Sequence, residues 1–182
     1  MTLLVSAADI LRAQELLVEH LPTTPLSEAF GLSEQFCRTI LCKWDNTLRT
    51  GSFKERGALY FLLGLSSEAR KRGVCAASAG NHALAVSFHA QRLGIPCALV
   101  MPEAAPLVKV ERCRRNGATI TQTGALQDCL LHAEALAQSE GYTFIPPFNH
   151  ERIIAGQGVA GLEVLAQSSD FDSVIKIGRA HV

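Results

Sequence analysis

Residues 74–101 read VCAASAGNHALAVSFHAQRLGIPCALVM, and the fold class follows from them. Val74 to Ala77 is an unbroken apolar run, too short for a helix. Ser78-Ala79-Gly80 interrupts it. Asn81 to Leu93 is apolar nearly all round, which predicts a buried helix, and Gly94 closes it. Cys97 to Met101 is a second apolar run. Two short apolar runs around one buried helix make a β-α-β unit, whose strands are parallel. The rhythm continues downstream. Pro106 opens a helix with Leu107, Val110 and Cys113 on one face, ended by Asn116-Gly117. Ala118 to Thr123 is a β-branched strand. Leu126, Cys129, Leu130, Ala133, Leu136 and Ala137 mark an amphipathic helix ended by Gly141, and Tyr142 to Ile145 is a short strand. The expectation is an α/β protein with three α/β/α layers and a parallel sheet covered on both faces.

Upstream, Ser6-x-x-Asp9 is a capping box, followed by Ile10, Ala13, Leu17 and Leu21 at helical spacing. Arg38 to Lys43 reads as a strand. Ser52-x-x-Glu55 predicts a second capping box, opening a helix to about Leu65. The division is then residues 74–146 as a small α/β domain, with 1–73 and 147–175 as parts of a larger one. Ile10, Leu17, Val164 and Leu165 are expected to lie open for want of partners.

Composition narrows the function. Of 182 residues, 48% are apolar and 19% charged, which excludes a disordered tail. Seventeen basic and seventeen acidic residues balance, so nothing favours a nucleic-acid or anionic membrane surface. No apolar run is long enough to span a membrane. Asp9, Arg12, Glu15 and Glu19 interrupt the N-terminal stretch, so it does not read as a secretory signal, and a cytoplasmic location is expected. The six cysteines lack a C-x-x-C pair and read as small buried hydrophobes. The histidines lack metal-ligand spacing, so no metal is expected.

Two constellations carry chemistry. In Arg49-Thr50-Gly51-Ser52-Phe53-Lys54-Glu55-Arg56-Gly57-Ala58, Lys54 falls in the first turn of a helix. There the dipole and flanking arginines favour a neutral amine, the form a Schiff-base lysine needs. Read from these residues alone, a solvated surface lysine is the commoner alternative. The second constellation, Ser78-Ala79-Gly80-Asn81-His82, lies where a strand hands over to a helix and offers an anion cradle. A plain turn with an Asn cap is the alternative.

Two further patterns compete. Gly156-x-Gly158-x-x-Gly161 matches a dinucleotide fingerprint but follows a polar segment, not a strand. Ala76-x-Ser78-x-Gly80 is one residue short of a nucleophile elbow, and Asp128 and His150 follow in the order of a hydrolase triad.

Taken together, these blocks resemble the pyridoxal-phosphate enzymes of fold type II, the tryptophan-synthase-β type, and within them the threonine/serine dehydratases (threonine ammonia-lyases). The resemblance also rests on Thr24-Pro25-Leu26, Leu93-Gly94-Ile95-Pro96, Val100-Met101-Pro102 and Pro106-Leu107-Val108-Lys109-Val110. It continues through Pro146-Pro147-Phe148 and Ile154-Ala155-Gly156-Gln157-Gly158. It implies pyridoxal 5'-phosphate as cofactor, with Lys54 as the lysine that holds it and removes the substrate's α-proton. Phe53 would pack against its ring and Asn81 would bond its phenolic oxygen. Ser78, Ala79, Gly80 and His82 would grip the carboxylate of a small amino-acid substrate. The implied reaction is β-elimination from L-threonine or L-serine to a 2-oxo acid and ammonia, in a homo-oligomer. A serine racemase within the family, a serine hydrolase using Ser78 and a non-catalytic anion-binding module stand as alternatives.

The sequence departs from the family in two places. Lys43-Trp44-Asp45-Asn46 replaces the usual Lys-Arg-Glu-Asn. After Ile175 the family runs into a glycine-rich phosphate cup, whereas here residues 176–182 read as a non-native tail. The expectation is an N-terminal fragment, inactive by itself.

Overall fold

The computed structural model describes residues 5–176; the expected tail lies outside the described residues except for Lys176. Four parallel strands form the sheet: β3 (Val74–Ala77), β4 (Cys97–Met101), β5 (Thr119–Gln122) and β6 (Thr143–Phe144), in the spatial order β5-β4-β3-β6. Val74 pairs with Cys97 on one side and with Thr143 on the other. The side chains alternate across the sheet. Val74, Ala76, Leu99 and Met101 join the cluster under α5 (Asn81–Arg92) and α6 (Leu107–Arg115). Ala77 and Val100 face α7 (Leu126–Glu140) through Cys129 and Ala133. β3 and β4 are buried at every position, as strands covered on both faces must be, while β5 at the edge keeps polar side chains toward water. The expected α/β/α layering is present.

The remaining elements close a second core. α1 (Ala7–Leu17) carries the expected Ser6–Asp9 capping box. α3 (Lys54–Leu63) packs on α5, and α8 (Glu151–Gln167) returns across both α3 and α1. α8 therefore covers much of what the sequence reading left open. Leu17 is buried with Ala13, Leu59, Ala155 and Val159, and Ile10 packs against them; Leu165 alone of the four named residues is exposed, at 63%. The Gly156–Gly161 pattern lies inside α8 and serves packing. A Cβ at Gly156 would stand 2.8 Å from the Arg56 carbonyl oxygen, so glycine is what lets α3 and α8 cross so closely.

β1 (Leu26–Glu28) and β2 (Leu41–Lys43) form an antiparallel ribbon around α2 (Phe30–Phe36). Neither α2 nor α4 (Ser67–Arg72) was expected, and both are under eight residues. Two further expectations fail. Ser52 does not cap α3: Phe53 occupies the N-cap position in helical conformation. The Glu55 carboxylate turns instead to the Thr50 N–H and to His89 Nε2, at 3.2 Å in the latter case. Leu107 is 71% exposed, because α6 touches the core only through Val110 and Cys113.

Arg56 binds these parts together. It is 1% exposed and sits between two carboxylates. Its NH1 and NH2 donate to both Glu163 oxygens at 2.6 and 2.9 Å, and its Nε and NH2 to both Asp45 oxygens at 3.1 and 2.8 Å. Lys43 Nζ adds a 2.6 Å contact to Glu163, and Thr24 Oγ1 donates to Asp45 at 2.7 Å. Two cations thus meet two anions. Asp45, in the Lys43–Asn46 stretch, is thus paired within this network. No helix among the described residues is long and apolar enough to cross a membrane.

Burial alone would raise the Asp45 and Glu163 carboxyls, but the Arg56 hydrogen bonds and the Arg56 and Lys43 charges hold both below the usual range. Carboxylates depressed in the folded state stabilise it above their unfolded pKa, and that stability is lost as pH falls through the folded values. Urea midpoints should therefore drop steeply below about pH 4. Arg56→Met removes the main partner of one buried and one partly buried carboxylate and should cost about 3–5 kcal/mol at pH 7. Urea unfolding of both proteins between neutral and acid pH checks this; equal midpoints at pH 7 would refute it.

Candidate active site

The strand order locates the site. From β3 the chain steps to β4 and β5 on one side, then returns to β6 on the other. The connections leaving β3 and β6 therefore diverge, and their carboxyl ends flank a crevice of the kind where open α/β sheets bind ligands. After β3 comes Ser78-Ala79-Gly80, which leads into the first turn of α5. After β6 comes Ile145-Pro146-Pro147-Phe148.

Lys54 reaches this crevice from the start of α3. Gly51, at φ +82°, makes the turn that aims the segment. Lys54 Nζ donates to the Pro147 carbonyl at 2.8 Å and lies 4.4 Å from the centroid of the Phe148 ring and 5.4 Å from that of Phe53. Burial, with a smaller push from the Lys176 charge, lowers its pKa to about 8. The flanking arginines contribute differently from the expectation, since Arg56 is neutralised by Asp45 and Glu163. Phe53 is half-buried beside Lys54, and Lys176 Nζ stands 4.3 Å from its ring centroid.

The opposite side of the crevice is backbone. Ser78 Oγ accepts from the Gly80 N–H at 3.2 Å, which tightens the loop. A Cβ at Gly80 would meet nothing within 4 Å, so there is room over the loop. The first-turn amides of Asn81, His82 and Ala83 are the donors an α-helix leaves without intrahelical acceptors. The Asn81 side chain is exposed, and its Oδ1 accepts from Lys109 Nζ at 2.9 Å. His82 contributes its amide to this turn, while its ring is buried and bonds the Ile145 carbonyl through Nε2 at 3.1 Å. Burial pushes its pKa down to about 4, against the pull of that carbonyl, with the Lys54 charge adding to the fall. A neutral ring donating there props up the segment that carries Pro147.

Sequence reading gathered Lys54, Phe53, Ser78, Ala79, Gly80, Asn81 and His82, and all of them lie on the elements that border this crevice. It assigned no role to the Pro147 carbonyl or to Lys109. A proline carbonyl after another proline, with no neighbouring N–H to satisfy it, was the available hint. The triad alternative loses its partners. Asp128 accepts from the Ala125 N–H at 2.8 Å, and His150 caps α8 by accepting from the Arg152 N–H at 3.1 Å while packing on Phe61.

The residues fit an aldehyde-bearing anionic cofactor at its reactive end. They supply an amine that turns neutral close to physiological pH, aromatic rings and an exposed carboxamide. Because the Lys54 pKa is lowered, its neutral fraction rises through about pH 8 rather than the ordinary 10.5. Labelling of Lys54 by an amine-selective reagent, followed by peptide mass analysis, should show a midpoint near that pH. A midpoint at the ordinary lysine value would overturn the assignment of a desolvated amine.

Comparison with known proteins agrees with this chemistry. The Pyridoxal-phosphate dependent enzyme family matches residues 17–179. The chain is 42% identical to the L-threonine ammonia-lyase of Thermotoga maritima, covering 94% of this chain and 43% of that protein. It is 37% identical to the catabolic L-threonine dehydratase of Escherichia coli, covering 94% and 52%. The serine racemase structure from Dictyostelium discoideum superposes with TM-score 0.84 at 32% identity, covering 93% of this chain and 56% of that one. The chain spans between about a third and a half of the length of the curated relatives it matches. The match covers most of the chain, its cofactor is pyridoxal phosphate, and the chain belongs to the pyridoxal-phosphate dependent enzyme family.

Proposed function

We propose that this chain forms the lysine-bearing half of an enzyme that eliminates water from L-threonine or L-serine and releases a 2-oxo acid and ammonia. The observation that carries the reading is Lys54 Nζ, half desolvated in the crevice between the β3 and β6 connections. The names of the relatives support the reaction class, and both threonine dehydratases and a serine racemase are among the matches. The loss of hydrolase partners around Ser78 favours it over acyl transfer.

Each residue then has one task. Lys54 would hold the cofactor's aldehyde carbon and, once displaced by substrate, take the proton from the substrate's α-carbon as a neutral amine. Phe53 would pack against the ring. Asn81 would donate to the phenolic oxygen, a neutral donor that tunes it without adding charge. The Ser78–Gly80 loop and the first-turn amides of Asn81 and His82 would orient the substrate carboxylate. Bound there, the cofactor would delocalise the electron pair left on the α-carbon, and the β-hydroxyl would leave as water with the proton that Lys54 took up. The Phe148 and Phe53 rings keep bulk water from the amine.

The location and assembly follow the same reading. All six cysteines are free, which suits a reducing compartment, and we place the enzyme in the cytoplasm as a homo-oligomer. Residues 74–146 act as a small lobe and 1–73 with 147–175 as part of a large one.

Lys54→Ala in the complete reading frame should abolish borohydride-trapped cofactor and threonine deamination, whereas Ser78→Ala should lower turnover without abolishing trapping. Retained trapping in Lys54→Ala would sink the assignment. Asn81→Ala should leave the fold intact and cut turnover by roughly tenfold or more, since a hydrogen bond to a charged oxygen is worth about 1.5–3 kcal/mol. Circular dichroism and kcat check this. The 182 residues alone, which span about half the length of the relatives named above, should retain little cofactor after gel filtration; a yellow, active eluate would refute that.

A further inference from the structure

Lys109 lies on α6, outside the crevice, and its Nζ donates to Asn81 Oδ1 across 2.9 Å. A lysine ammonium has three donors and no acceptor, so it can bind only the oxygen end of a carboxamide. That contact orients the whole Asn81 amide, because Oδ1 and Nδ2 exchange places on a half-turn about χ2. With Oδ1 held by Lys109, Nδ2 and its two N–H groups are directed away from α6. Among the described residues no other side chain bonds the Asn81 amide. The base of Lys109 is firm: its N–H donates to the Pro106 carbonyl at 2.8 Å, and the next residue, Val110, is fully buried with Cys113.

We propose that Lys109 is a positioning residue for the reaction, holding the Asn81 carboxamide with its donor end toward the crevice. The inference rests on the reading of Asn81 as the partner of the cofactor's phenolic oxygen. That oxygen accepts hydrogen bonds, so only the Nδ2 end of the amide can serve it. A free amide samples the flipped state, in which Oδ1 faces the phenolic oxygen and two acceptors repel. Lys109 removes that state. Its charge, drawn to Oδ1, also polarises the amide and strengthens Nδ2–H as a donor. No part of this needs Lys109 to touch substrate or cofactor.

The test uses the complete reading frame carrying these residues, with Lys109→Met, Lys109→Arg and Asn81→Ala. Three properties are measured: the side-chain amide resonances of Asn81 by NMR without cofactor, the visible absorbance of the cofactor-loaded protein, and kcat and KM. Lys109→Met keeps the aliphatic stem and deletes the donor. It should broaden or shift the Asn81 amide pair, move the absorbance band in the same direction as Asn81→Ala, and lower kcat about tenfold with KM within about twofold. Lys109→Arg, which still donates, should restore all three. If Asn81→Ala changes absorbance and kcat while Lys109→Met changes neither, the positioning role is wrong and the reading of Asn81 stands. If Asn81→Ala changes neither, the reading of Asn81 falls and the role of Lys109 falls with it. If Lys109→Met lowers the urea midpoint and Lys109→Arg restores stability but not kcat, the residue is merely structural and the proposal is overturned.

Discussion

A single guanidinium, that of Arg56, holds two carboxylates that approach from opposite ends of the chain. Asp45 follows the β1–β2 ribbon, and Glu163 lies 107 residues beyond Arg56 on α8. Arginine suits this position because its planar fork meets both carboxylates through two hydrogen bonds each, while a lysine would present one point charge. The network is neutral in sum, with Lys43 as the second cation, and two of its carboxylate oxygens also accept from the Thr24 N–H and hydroxyl. Buried charges are tolerable only when so fully paired. The geometry requires α3 and α8 to cross at close range, which the glycines at 57 and 156 permit. Arg56 is two residues from Lys54, so whatever fixes the one fixes the start of the helix that presents the other.

A second link runs from α3 to the sheet. Glu55, between Lys54 and Arg56, is fully buried and bonds both the Thr50 N–H and His89 of α5. The helix that supplies Lys54 is thus anchored on one side to α8 and on the other to the helix whose first turn carries Asn81. Burial would raise the Glu55 carboxyl, but the hydrogen bonds from His89 and Thr50 hold it below the usual range. The two borders of the crevice are joined by side chains that do not face it. That arrangement allows the crevice itself to carry polar groups, such as the first-turn amides of α5, that an α-helix leaves without intrahelical acceptors.

How much of this was legible depends on the range of the signal. The strands and helices between Val74 and Phe144 announce themselves by local period, and Gly94, Gly117 and Gly141 all take the positive φ that ends a helix. The Lys54 constellation stands out because a cation in the first helical turn conflicts with local stability, and the Ser78–His82 loop because it lies where a strand hands over to a helix. The failures share a cause, namely tertiary partners that outweigh local ones. Ser52-x-x-Glu55 fits a capping box in sequence, but the Glu55 carboxylate bonds His89 and the Thr50 N–H inside the core instead. Leu17 gave no sign of its cover, because α8 arrives from more than 130 residues away. The pairing of Arg56 with Glu163 has no local signature. The Pro147 carbonyl is backbone, and the Pro146-Pro147 pair hints at a free acceptor without saying which donor it meets.

The placement of Lys54 makes sense only in light of those anchors. A cation in the first turn of a helix opposes the helix dipole, and burial adds a desolvation penalty. The Pro147 carbonyl and the Phe148 ring face return part of that cost, yet the pKa still falls to about 8, so the balance remains against the charged form. Left to local energetics, such a side chain would swing out to water, since lysine has a long flexible stem. It stays because the turn before it is fixed by Gly51 and by Glu55, and the helix after it by Arg56. The fold therefore spends stability at one amine and recovers it a residue or two away. Charges that are paired hold in place an amine that is half-buried and has no carboxylate partner among the described residues, and its lowered pKa makes the neutral form accessible near pH 8.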